Sequence, residues 1–279
     1  LEKGAYNQWQ GGEPFKLNAR GVDTSADGSL VYLVSFKGDM QILDITTPER
    51  PFMLGAVLAN QHGSAGQWSD VAVTDRFAYV CAGTGGLQGL DIRNPRNPPW
   101  RTTASTALND CTEVAVDMPF VYALGSSSGL HVFELMGQDS NSMPDLYKVG
   151  TWNLPQGLSG SAYSSLYLDT ERRLLYVSAL WNGITVLDVS DPPHPQVLST
   201  LDPGRAYGLA LSGKYLFAGD DYVVHIIDVG DPLNPQEAGM QQLTDRYGLE
   251  ISAKKLKVYN SVLYVATDRS TLQAYRILK

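Results

Sequence analysis

Short apolar runs recur along the whole chain, separated by segments rich in Gly, Pro, Asp and Ser. The runs favour β-branched and aromatic residues, which fit the pleated surface of a strand. Residues 183–201, GITVLDVSDPPHPQVLSTL, show the pattern most clearly. Their apolar run, 184–189, contains one acid, Asp188, and Pro192, Pro193 and Pro195 follow at once. An aromatic residue, Tyr176, stands twelve residues before that acid. Twelve residues also separate Tyr32 from Asp44, Tyr79 from Asp91, Tyr122 from Glu134 and Tyr264 from Arg276, and eleven separate Phe217 from Asp228. Six aromatic positions thus recur at intervals of 41 to 54 residues, the mark of a repeated fold.

Each repeat reads as four short strands; in the fourth they fall at 165–168, 174–179, 184–189 and 196–201. Third strands such as MQILDI, LQGLDI, LHVFEL and VHIIDV are apolar on both faces and need cover on both sides. Radially stacked four-stranded blades supply that double cover. The acid then sits where the third strand ends, placed to accept hydrogen bonds from turn amides. The prolines after it fix φ, cannot continue the ladder and protect an outer edge strand. In the third repeat this turn is replaced by the longer MGQDSNSMPD. The expected fold is an all-β, six-bladed β-propeller forming one domain over residues 1–279. Its blades fall at about 14–60, 61–105, 106–154, 155–202, 203–243 and 244–279 plus 1–13. The last repeat stops after its third strand. KGAYNQW resembles the fourth strands LGAVLAN and VGTWNLP, so residues 4–9 are expected to complete that blade and close the ring.

These repeats resemble the LVIVD-repeat family of bacterial and archaeal β-propellers. GITVLDVSDPPHPQVLSTL looks like that family's signature almost throughout, and VVHIIDVGDPLNPQEAGM and DMQILDITTPERPFMLGAV follow it closely. The likeness is weakest at the insertion of repeat three and in repeat six, where Arg276 replaces the acid. It implies an extracytoplasmic or cell-surface setting, commonly within a larger or anchored protein. It implies no single activity, since fold does not fix function.

Composition narrows the chemistry. With 21 basic and 29 acidic residues the formal net charge is −8, which argues against duplex nucleic acid or an anionic membrane as the main partner. No apolar stretch reaches the length of a membrane span, so no insertion within this chain is expected. The chain begins at Leu1 without methionine, so a preceding signal peptide, anchor or further domain stays open. Cys81 and Cys111 lie near the same face of neighbouring blades, as a disulfide or as two buried thiols. His131 and His225 share one third-strand position with Gln41, Gln88, Thr185 and Gln273, which reads as a column of core polar residues rather than a metal site. GLSGSAYSS lacks the GxSxG spacing and GTGGLQG lacks GxGxxG, so both read as turns. No cofactor or metal is expected.

Function is sought where the repeats disagree. Loops leading into first strands, and loops between second and third strands, gather on one face and carry Arg20, Trp68, Asp70, Glu113, Trp181, Arg205, Tyr207, Tyr222 and Arg246. Arginine and exposed aromatics are common interface anchors, and rigid scaffolds place function on loops. The plainer reading is that the aromatics cover a channel mouth and the charges are solvated. The expected function is a non-catalytic scaffold binding a protein or surface glycan. The rivals are an enzyme, hydrolase or lyase, using Arg20, Asp70, Glu113, Arg205 and Arg246, and a structural subunit contacting a larger assembly near Met143. The closure of the ring is directly testable: deleting residues 1–12 lowers the unfolding temperature markedly, and a truncated chain that melts like the full one refutes it.

Overall fold

The computed structural model describes residues 19–47, 50–58, 67–99, 102–105, 108–137, 143–153, 164–179, 182–245, 247–268 and 272–277. Among them all regular structure is β, in six antiparallel sheets, five of four strands and one of three. These sheets are the blades of a six-bladed β-propeller, as the repeats predict.

The chain packs as two compact units, Leu1–Val149 and Gly150–Lys279. In the first, β1 (Ala19–Thr24), β2 (Leu30–Ser35), β3 (Asp39–Asp44) and β4 (Phe52–Leu58) make one sheet. The next comprises β5 (Asp70–Val73), β6 (Phe77–Cys81), β7 (Leu87–Asp91) and β8 (Thr102–Ser105). The third is β9 (Cys111–Asp117), β10 (Phe120–Gly125), β11 (Gly129–Met136) and β12 (Asp145–Trp152). The second unit holds β13 (Ser164–Asp169), β14 (Leu174–Ala179), β15 (Ile184–Asp188) and β16 (Gln196–Leu201), then β17 (Gly208–Ser212), β18 (Tyr215–Gly219), β19 (Val223–Asp228) and β20 (Gln236–Gln242). Its last sheet is β21 (Ala253–Tyr259), β22 (Val262–Thr267) and β23 (Leu272–Arg276). Residues 4–9, expected to add a fourth strand there, lie outside the described residues.

One register runs through all six sheets. The acid position pairs with the residue two before the aromatic: Leu30 with Asp44, Phe77 with Asp91, Phe120 with Glu134, Leu174 with Asp188, Tyr215 with Asp228 and Val262 with Arg276. The eleven-residue interval of the fifth repeat therefore shortens a loop and leaves the ladder intact. Most third-strand residues of β3, β7, β11 and β15 are buried on both faces, whereas β23 alternates between exposed and half-buried. The acids hold their turns as expected. Asp44 accepts from the Thr46 amide at 3.0 Å, Asp188 from Ser190 at 2.8 Å and Asp228 from Gly230 at 2.9 Å.

The proline turns also pack between blades. A β-carbon on Gly55 of β4 would collide with the Pro95 carbonyl of the next blade's turn. At the same ladder position of β16, Ser199 donates its hydroxyl to the Pro232 carbonyl at 2.6 Å. On the first strands, Gly21 and Gly208 occupy another shared position, and side chains there would strike Asp70 and Lys254 of the following blade. Between the strands the cores are blade-to-blade clusters. Tyr32, Met40 and Ile42 meet Ala78, Val80 and Leu90, and Tyr176 and Val186 meet Leu209, Ala218 and Ile227.

Cys81 and Cys111 are bonded, joining β6 to β9 with Cα atoms 4.9 Å apart and both residues buried. Across a sequence separation of 30, loop-closure entropy makes this worth about 3–4 kcal/mol. Replacing both cysteines by alanine therefore lowers the unfolding free energy by about that amount, and alkylation of the denatured, unreduced protein labels no thiol. An unchanged denaturation midpoint, or two labelled thiols, contradicts the bond.

Candidate functional site

In the first unit the expected site residues separate into different roles. Arg20 is exposed, with its guanidinium 5.0 Å from the centroid of the Phe36 ring. Asp70 and Glu113 take the same first-strand position, opposite Cys81 and Leu124. Asp70 uses a carboxylate oxygen to accept the Val114 amide at 3.1 Å, tying β5 to β9, as Asp23 ties β1 to β5 through the Val73 amide at 2.9 Å. Trp68 corrects the sequence reading. The Ser69 amide bonds to the Cys81 carbonyl, and the Trp68 ring is fully buried among Val34, Val71 and Val80. It is core and offers a partner no surface. Trp181 and Arg246 lie outside the described residues.

The second unit brings three expected residues together. Arg205 and Tyr207 precede β17, and Tyr222 lies in the tight loop joining β18 to β19. Two backbone bonds fix that juxtaposition, Tyr207 N to Gly219 O at 2.7 Å and Asp220 N to Val223 O at 2.8 Å. Asp221 is the hub. It ion-pairs with Arg205 and accepts the Tyr207 hydroxyl at 2.6 Å. Burial, then this hydrogen bond, raises the Tyr207 pKa, so the phenol stays a neutral donor at ordinary pH. The Lys254 ammonium sits 3.7 Å from the Tyr207 ring centroid, a cation–π contact from the next blade. The Asp221 amide donates to Asp220 at 2.5 Å, and the other Asp220 oxygen lies 3.5 Å from His225 Nε2. His225 Nδ1 lies 2.8 Å from Glu237 on β20, so this buried imidazole stands between two carboxylates.

Sequence reading missed Asp221 and Lys254. Asp221 belongs to a loop of ordinary turn composition, and Lys254 reaches the site only through blade packing. The charges of the network are largely matched in pairs, and the ring of Tyr222 beside it is half exposed. Among the described residues no group of three or more His, Cys, Asp or Glu is arranged to hold a metal ion.

The two third-strand histidines are equivalent but differently served. His131 faces Ala123 as His225 faces Ala218, and both are buried. Among the described residues neither ring nitrogen of His131 finds a hydrogen-bond partner of normal geometry. Burial lowers its pKa, and the Lys148 ammonium lowers it further, against weaker opposing pulls from the Ser128 backbone and Asp110. Lys148 stands two residues before Gly150, as Glu237 stands two before Gly239, so one repeat position holds a base where the other holds an acid. Asp110 is itself absorbed by its loop. Burial opposes its charge, but the hydroxyls and amides of Ser127 and Ser128 outweigh this and keep it ionised.

The LVIVD repeat model matches residues 65–102, 174–202 and 203–241, which fall on the second, fourth and fifth blades. No curated protein matches the chain. Among solved structures, the Mitotic Checkpoint Complex contains a chain that is 13% identical with a TM-score of 0.69, covering 94% of this chain and 75% of that one. The Cps50 (Swd1) β-propeller domain of Myceliophteria thermophila is 9% identical with a TM-score of 0.64, covering 93% of this chain and 83% of that one. At such identities the likeness is one of fold.

His131 makes stability depend on pH in a defined direction. Its folded pKa lies below the ordinary 6.5, so on acidification the unfolded chain takes up the proton first. Its contribution is intact above pH 6.5 and is lost as pH falls towards the folded pKa, with a slope of at most about 1.4 kcal/mol per pH unit. His131→Gln, which installs the residue that Gln41 and Gln88 supply in other blades, flattens this part of the stability curve. Parallel wild-type and variant curves between pH 5 and 7.5 contradict the assignment.

Proposed function

For a six-bladed propeller that carries LVIVD repeats, we propose a non-catalytic role: an extracytoplasmic scaffold that binds a protein partner through its loop face. The observation that carries this reading is the Arg205–Tyr207–Asp221 network with Tyr222 half exposed beside it. Its polar groups are held by one another on a rigid blade, so a partner meets a preformed surface at little entropic cost.

The residues an acid–base enzyme would use do not support that rival. Asp70 is committed to the Val114 amide, Arg205 to Asp221, and Arg20 stacks on Phe36. The buried Cys81–Cys111 bond supports an oxidising setting, because disulfides persist outside the reducing cytosol. The fold neighbour within the Mitotic Checkpoint Complex supports a protein as the partner. No helix among the described residues is long and apolar enough to cross a membrane.

The test keeps the core intact. Replacing Arg205 by alanine together with Tyr222 by serine abolishes capture of the partner from source material, while the melting temperature shifts by no more than about 2–4 °C. Undiminished capture, or retention only of a polysaccharide, contradicts the reading.

A further inference from the structure

The sequence contains one Asn–Gly pair, Asn182–Gly183, in the loop that joins β14 to β15. Wherever else asparagine occurs, the next residue carries a side chain; after Asn94, Asn97 and Asn234 it is a proline, which has no amide hydrogen. The pair matters because an asparagine carboxamide can be attacked by the amide nitrogen that follows it. Glycine, with no β-carbon, leaves that approach open. The Asn182 amide donates to the Ala179 carbonyl at 2.7 Å and the Ala179 amide to the Gly183 carbonyl at 3.0 Å, while Gly183 sits at φ of 67°. These bonds pin the turn but use neither reacting group. Among the described residues the Asn182 carboxamide and the Gly183 amide make no hydrogen bond, and Asn182 is half-buried at the surface.

The one Asp–Gly pair, Asp27–Gly28, is open to the same chemistry by sequence and is protected by structure. Its Gly28 amide is engaged, donating to the Ser25 carbonyl at 2.9 Å. Its carboxylate accepts the Ser25 hydroxyl at 2.5 Å, the Ser29 hydroxyl at 2.8 Å and the Ser29 amide at 3.0 Å. These bonds hold the Asp27 pKa down to about 2, so the group is ionised and a poor electrophile. The neutral carboxamide of Asn182 has neither protection.

We propose that Asn182 is a site of spontaneous modification, at which water converts the β14–β15 turn to an isoaspartate form as the protein ages. The Gly183 nitrogen, losing its proton, bonds to the side-chain carbonyl carbon of Asn182. The bond from that carbon to its own amide nitrogen breaks, and ammonia leaves with the proton. Water then opens the cyclic imide at either carbonyl, giving aspartate or isoaspartate, so the net reaction consumes one water and releases one ammonia. The consequence follows from packing. Isoaspartate puts one more carbon in the main chain where Gly183 is pressed against Leu201 and Asp202, so tightly that a β-carbon would collide with both. Ile184, buried in the core, follows at once. The modified turn therefore loosens the start of β15 and places a new negative charge on the loop face. None of this depends on the binding role proposed for that face.

The test incubates the full chain at physiological temperature and pH, and in parallel at mildly alkaline pH. Its peptides are then mapped by mass spectrometry, with isoaspartyl methyltransferase labelling to mark isoaspartate. Position 182 is expected to convert first, with more isoaspartate than aspartate and faster at the higher pH, while Asp27 stays unmodified. Asn182→Gln, whose longer side chain would have to close a six-membered ring, is expected to lose the signal. Asp27→Asn installs the same dipeptide where the glycine amide is bonded, and position 27 is then expected to convert several-fold more slowly than position 182. The isoaspartate species, separated by its added charge, is expected to melt below the fresh protein, whereas Asn182→Gln keeps its melting temperature through the same incubation. No conversion at 182 in the folded chain, conversion there no faster than at position 27 of Asp27→Asn, or an isoaspartate species that melts like fresh protein overturns the proposal.

Discussion

Everything in this fold depends on one constraint: a blade's sheet has two apolar faces and can cover neither by itself. Blade-to-blade packing supplies the missing cover, and the closeness of that packing explains several features that recur from repeat to repeat. Where first strands approach, only glycine fits at 21 and 208. Where an outer strand meets the next blade's proline turn, position 55 is glycine and position 199 is a serine that bonds to a proline carbonyl. Around these contacts the second-strand aromatics Tyr32 and Tyr176 reach into the following blade's core. The seam between the second and third blades adds a disulfide and the Asp70–Val114 tie.

Much of this was legible in the sequence because it repeats. The aromatic-to-acid interval located every ladder, and in four of the six repeats a proline turn marked where the third strand ends. The shared histidine and glutamine position was legible for the same reason, since it follows from register alone. What escaped were properties of a single blade against its neighbour. Trp68 looks like a loop aromatic until the pairing with β6 is seen to reach Ser69 and the Trp68 ring to lie in the core. The cysteine pairing needed two adjacent strand ends to be brought to bonding distance, which spacing alone left open. Asp221 and Lys254 carry no motif; the first is a turn residue and the second a strand residue whose partner, Tyr207, lies in another repeat.

Scaffold and function therefore divide along the repeat. Acids such as Asp44, Asp188 and Asp228 sit at equivalent places and are spent on turn amides. The carboxylate of Asp221 sits where the repeats differ, and it organises a guanidinium, a phenol and, through the phenol, an ammonium into a surface network. Rigidity in the repeated part is what lets the variable part be preformed.

The central claim, that the repeat motif exists to be packed upon by its neighbour, is tested most directly by one pair of melts. Gly55 and Gly239 hold the same position in β4 and β20, opposite Ile42 and Ile226. An added side chain at Gly55 meets the next blade's proline turn, whereas at Gly239 nothing among the described residues lies within 4 Å. Gly55→Val should destabilise the protein by about 1–3 kcal/mol or more, and Gly239→Val should leave it within about 0.5 kcal/mol of wild type. Equal effects at the two positions would contradict the account.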